Sequence, residues 1–117
     1  MILVLFDIDG TLVRTGGAGM KSMEAVFEKL FGMKNALKGV PMMGRTDPLI
    51  FREVIRENGI SWTRELEEEW KELYFTLLRD NIKLDLPGKR ILPGVIRLLE
   101  AVEEHDTCVP GLLTGNF

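Results

Sequence analysis

Apolar residues follow two different rhythms along this 117-residue chain. The first is an unbroken run, Ile2-Leu3-Val4-Leu5-Phe6, with no polar alternation. Such a run predicts a strand buried on both faces, as in a parallel sheet. A glycine-rich stretch, Thr15-Gly16-Gly17-Ala18-Gly19, suits a hinge or tight connection. Beyond it the rhythm turns helical. Met23, Val26, Phe27, Leu30 and Phe31 recur at helix spacing, and Gly32 is placed to stop that helix. Asp47-Pro48 predicts a second helix, with Asp47 as N-cap and Pro48 at the first position, closed by Asn58-Gly59. Ser61 or Thr63 caps the longest helix, whose apolar stripe is Leu66, Trp70, Leu73 and Leu77. Glu67, Glu68, Glu69 and Lys71 lie mostly off that stripe and read as a solvated face. After Pro87-Gly88 and Pro93-Gly94, residues Val95, Leu98, Leu99 and Val102 make a last amphipathic helix ending near His105. The segment from Gly111 to Asn116 reads as a short buried strand running into a polar loop. Pro110 would remove a ladder hydrogen bond, so the strand is expected to start at Gly111, or Pro110 to sit at its start or at an edge.

The order is strand, helical block, helix, strand, which predicts an α/β fold. The two strands are candidates for parallel neighbours, because a helix directly precedes the second. The helical block is too long for a simple crossover and reads as an inserted domain above the strand ends. The expected division is residues 1–15 with 88–117, and 16–87.

Composition narrows the classes. A net charge of -3 and the absence of a basic stripe argue against nucleic acid as the main partner. A lone Cys108 forms no internal disulfide, which fits a reducing compartment and a cytoplasmic location. The first apolar run is too short for a signal sequence, and no run approaches the ~18 apolar residues of a membrane span.

The chemistry lies where the first run ends, at Phe6-Asp7-Ile8-Asp9-Gly10-Thr11. Asp7 and Asp9 are two apart on an emerging strand, so their side chains start on the same side. Ligands of open α/β sheets bind beyond the carboxyl ends of the strands. Two carboxylates there repel unless a cation or shared proton relieves them, and Mg²⁺ is typically held by one or two carboxylates plus phosphate oxygens. Gly10 lets the chain turn away, and neighbouring N–H groups are expected to face an anion. A lone Asp-Gly after a strand is a common turn signal; the full hexapeptide behind an aliphatic strand is far more specific.

Leu5-Phe6-Asp7-Ile8-Asp9-Gly10-Thr11-Leu12-Val13 resembles the first signature motif of the haloacid dehalogenase-like hydrolases. Leu112-Leu113-Thr114-Gly115-Asn116 resembles the second, and Ile91-Leu92-Pro93-Gly94-Val95 the lead-in to the helix before it. The resemblance implies a partial Rossmann-like core with an inserted α-helical cap, as in phosphoglycolate phosphatase and β-phosphoglucomutase. It also implies Mg²⁺ as cofactor and a small phosphorylated metabolite as substrate. Asp7 would attack phosphorus and bind the metal. Asp9 would serve as acid and then base, and bind the metal through its carbonyl. Gly10, Thr11, Thr114, Gly115 and Asn116 would contact the substrate, Asn116 alternatively capping its loop; Arg45 would meet a second anionic group, or is a surface arginine beside a helix cap. Arg14 is similarly placed. A second aspartate is needed to protonate an ester oxygen and not to displace halide, which favours phosphate chemistry.

The family's third motif, a lysine, and its acidic fourth motif have no counterpart after Lys89 and Asp106. The chain is therefore expected to be an N-terminal piece with little phosphatase activity alone, and to self-associate through exposed edges of its core. Alternatives are a phosphosugar mutase, or a non-catalytic fragment that binds partners through its helical block. A phospho-accepting receiver module would need a strand ending in aspartate near mid-chain, where this sequence is helical. His105, at the end of a charged helix, reads as a cation meeting the helix dipole. Cys108 reads as a buried small hydrophobe, and Trp62 and Trp70 as the core or rim of the cap.

Overall fold

In the computed structural model, which describes all 117 residues, hydrogen bonding resolves the first apolar run as strand β1, Ile2–Phe6. The remaining elements are β2 (Val13–Arg14), α1 (Ala18–Phe31), α2 (Asp47–Glu57), α3 (Arg64–Asn81), β3 (Arg90–Ile91), α4 (Val95–Glu104) and β4 (Cys108–Leu112). This is a small mixed α/β fold with four helices, a parallel pair β1–β4 and an antiparallel pair β2–β3. No helix is long and apolar enough to cross a membrane.

The chain divides into two compact units. Residues 1–17 with 86–114 form one, and residues 18–85 with 115–117 form the other. The last three residues thus group with the helices, whereas the sequence placed them with the strands.

The first unit is built on β1 and β4, paired parallel with Ile2 opposite Cys108 and Phe6 opposite Leu112. Helix α4 lies against β4. Only Phe6, Val95 and Val102 of its apolar side chains are buried. The expectation of a first strand covered on both faces is not met, because one partner strand and one helix cannot cover it. Leu3 is 62% exposed and Leu112 63%. Strand β4 begins at Cys108, three residues before the expected start, and holds Pro110 opposite Val4. Proline is tolerated there because β4 keeps an open edge. Cys108 is only partly buried.

The second unit carries the main core. Helices α1 and α3 pack together, and Phe27, Phe51 and Trp70 are fully buried at their centre, with Tyr74 beside them. Ring centroids lie 5.4 Å apart for Phe27–Trp70 and 5.0 Å for Phe51–Trp70, within the range where aromatic pairs attract. The Trp70 indole N–H has no hydrogen-bond acceptor in this core. Helix α2 is capped one residue earlier than the sequence suggested. Thr46 is the N-cap, its Oγ1 accepting from the Leu49 N–H at 3.4 Å, and Asp47 begins the helix itself. Thr63, and not Ser61, caps α3, accepting from the Leu66 N–H at 3.1 Å.

Candidate functional site

Beyond β1 the backbone folds into a loop held by its own hydrogen bonds. The N–H groups of Thr11, Leu12 and Val13 all donate to the Ile8 carbonyl, at 3.2, 2.9 and 3.2 Å. The Gly10 N–H donates to the Val13 carbonyl at 2.9 Å. This tight return needs a left-handed residue, and Gly10 supplies it with φ 75°. The donors of Gly10 and Thr11 are therefore engaged inside the loop, not turned to an anion as the sequence reading had them. Their role is to fix the backbone that carries the two aspartates.

Asp7 and Asp9 are both exposed. The Thr11 hydroxyl donates to Asp7 Oδ2 at 3.3 Å, which leaves Oδ1 outside that contact. Because β1 and β4 run parallel in register, the same end of the sheet also receives the residues after Leu112. The Leu113 N–H donates to the Phe6 carbonyl at 2.8 Å, carrying the pairing one step further. Asp7 and Thr114 thus both emerge from the carboxyl ends of neighbouring strands, where α/β folds bind ligands. The donors offered at this end are hard oxygens of two exposed aspartates, Asp7 and Asp9. That fits a Mg²⁺ ion.

A second feature of this unit escaped the sequence pattern. Strands β2 and β3 make a two-residue ribbon with Val13 opposite Ile91 and Arg14 opposite Arg90. Two-residue strands carry too little alternation to be read from hydrophobicity. Beside the ribbon is an open cavity of about 410 Å³, lined by Asp9, Arg14, Arg90 and the glycine loops at Gly16-Gly17 and Gly88. Gly16 has φ +70°, and a Cβ there would lie 2.7 Å from Leu86 Cβ and 2.8 Å from the Pro87 carbonyl oxygen.

The other expected site residues belong to the helical unit. Gly115 meets the backbone of Arg45 and Thr46, and its carbonyl accepts from the Asp47 N–H at 2.8 Å. Phe117 packs at a tilt against Trp70 with centroids 5.5 Å apart, and its N–H donates to Asp47 Oδ2 at 3.1 Å. Asp47, read from sequence as a helix cap, is instead a buried anchor for this tail. Arg45 pairs with Glu53 and donates to the Pro41 carbonyl at 3.1 Å, while Asn116 is exposed.

The helical unit has its own open cleft of about 880 Å³, lined by Arg45, Arg52, Glu53, Arg56 and Trp62 among others. Glu67 ties part of it together. It receives Arg52 Nε at 2.7 Å and Arg52 Nη2 at 3.0 Å, together with the Trp62 indole N–H. The Arg52 hydrogen bonds, chiefly, hold the Glu67 carboxyl below its usual range, with Trp62 adding to the effect. Trp62 is a half-exposed rim residue with the Arg52 guanidinium 5.1 Å from its ring centroid. His105 follows α4, its Nδ1 3.0 Å from the Thr107 hydroxyl.

A scan against protein-family models gives no match for this chain, and a search of curated proteins gives none either.

Proposed function

We propose that this chain carries the nucleophile and acid–base pair of a Mg²⁺-dependent hydrolase of small phosphate monoesters, of the haloacid dehalogenase-like kind. The observation that supports it most is the parallel pairing of β1 with β4, which brings Asp7, Asp9 and Thr114 out at one end of one sheet. In this reading the strand unit is part of the Rossmann-like core and the helical unit is its cap.

The chemistry follows from the two carboxyl groups. An Asp7 oxygen bonds to phosphorus as the ester P–O bond breaks, and the departing oxygen takes a proton from Asp9. Water then attacks phosphorus, giving its proton to Asp9, and the bond between Asp7 and the phosphoryl group breaks to release inorganic phosphate. Asp7 and Asp9 would hold Mg²⁺, which when bound would supply charge neutralisation for the phosphoryl oxygens. The Thr11 hydroxyl holds Asp7 Oδ2 and so orients the nucleophile. Thr114 holds the transferring group from the neighbouring strand end.

The donor set is tested by titrating Mg²⁺ while following backbone amide resonances. Saturable shifts centred on residues 7–11, lost in Asp7→Asn and in Asp9→Asn, are the expected result. Shifts confined to the acidic run at Glu67–Glu69, or unchanged in both variants, would remove the metal site from the proposal.

A further inference from the structure

The register of the β2–β3 ribbon sets Arg14 directly opposite Arg90. Residues directly opposite on an antiparallel pair share a face, with Cβ atoms ~4.5–5.5 Å apart, and like charges so placed repel. Neither guanidinium is hydrogen-bonded or ion-paired to any carboxylate of the chain. Both line the 410 Å³ cavity, and so does Asp9. The lining also includes Gly10, Gly17 and Gly88, where a Cβ would meet nothing within 4 Å, so these positions leave the space open. The cavity volume is several times the ~30 Å³ share of one water molecule, so it admits a substituted small molecule. The cationic pair and the carboxylate put both signs of charge in this cavity's lining. A bound anion bridging the two forks would turn their repulsion into paired charge-assisted hydrogen bonds.

We propose that Arg14 and Arg90 form a subsite for a second anionic group, a phosphate or a carboxylate, on the substrate whose phosphoryl group Asp7 accepts. The assignment rests on the phosphoryl-transfer reading for its substrate. It narrows that substrate to phosphate monoesters bearing a second acidic group. The ribbon selects the substrate while the β1 end performs the chemistry.

The test separates the subsite from the catalytic reading. With EDTA present and ionic strength fixed by NaCl, inorganic phosphate and oxalate are titrated separately against the intact chain. Saturable amide shifts at Arg14 and Arg90 are expected with at least one of them. Phosphate alone points to a second phosphate, and oxalate alone to a carboxylate. Arg14→Gln and Arg90→Gln each weaken binding by about tenfold or more, whereas Asp7→Asn leaves it in place. Thermal unfolding in anion-free, low-salt buffer gives an independent readout. Each glutamine variant should melt no lower than the parent, because the repulsion is gone, and should lose the rise in Tm that the anion gives the parent. Binding that survives in Asp7→Asn, in a chain that never accepts a phosphoryl group, would keep the subsite and discard the catalytic reading. Phosphoryl acceptance without anion shifts at the ribbon, or glutamine variants that bind as tightly as the parent, would overturn the subsite alone.

Discussion

Two adjacent glycines offer a sharp test of how the cavity wall is built. Gly16 and Gly17 have nearly the same backbone, with φ +70° and +85°. An alanine at either must adopt a left-handed conformation, at about 1–2 kcal/mol. Their surroundings differ. At Gly17 a new Cβ meets nothing within 4 Å, but at Gly16 it meets Leu86 Cβ at 2.7 Å and the Pro87 carbonyl oxygen at 2.8 Å. Neither obstacle is the far end of a flexible side chain, so the backbone of one loop has to move. Overpacking of that kind adds about 1–3 kcal/mol. Gly17→Ala should therefore destabilise the strand unit by about 1–2 kcal/mol, and Gly16→Ala by about 2–5 kcal/mol. Both tryptophans lie in the helical unit, so fluorescence is blind to this difference. Amide hydrogen exchange in β1 and β4 is the suitable assay. Exchange there should be about fivefold or more faster in Gly16→Ala than in Gly17→Ala. Equal exchange in the two variants would mean that the loops at residues 16 and 86–87 do not touch.

The helical unit carries two further expectations. Thr46→Ala should cost about 1 kcal/mol of urea stability read by tryptophan fluorescence, because it removes the α2 cap, while Thr46→Ser should restore most of it; no loss in Thr46→Ala would return the cap to Asp47. Glu67→Gln should lower stability more at pH 7 than at pH 3. The Arg52 hydrogen bonds depress the Glu67 pKa in the folded state. Their contribution is thus complete above the unfolded value of about 4.3 and fades as pH falls through the folded one. A parent–variant difference that is the same at pH 3 and pH 7 would show that the carboxylate charge is not what holds Arg52.

Where the sequence read well, the cause was long local periodicity. Fourteen residues of α1 and eighteen of α3 repeat their apolar positions often enough to fix both helices and the stripe at Trp70. Strand β1 was legible because five apolar residues run without interruption. The failures share a physical origin in contacts between distant residues. Pro110 lies on an open edge, as one sequence reading allowed, but its pairing with Val4 starts the strand earlier than Gly111. Asp47 beside Pro48 looks like a cap, but the N–H of Phe117, seventy positions on, claims its carboxylate. The β2–β3 ribbon depends on residues 13–14 meeting 90–91, which no local pattern announces. The candidate chemistry at Asp7 and Asp9 was legible from one hexapeptide. The neighbouring strand end that carries Thr114 was expected too, because a helix directly precedes the second strand; the exact register, Phe6 opposite Leu112, was not legible, since it joins residues more than a hundred apart in sequence.

The account stands on Asp7 as the acceptor of a phosphoryl group, and covalent trapping tests it most directly. An aryl phosphate with a good leaving group does not need Asp9 to protonate the departing oxygen, while hydrolysis of the intermediate still needs Asp9 as base. In Asp9→Asn with Mg²⁺ present, intact-mass analysis should show one added phosphoryl group, mapped to Asp7 by peptide sequencing. Asp7→Asn under the same conditions should gain none. A phosphoryl group on another residue, its appearance in Asp7→Asn, or no gain in Asp9→Asn at saturating Mg²⁺ and donor would contradict the assignment.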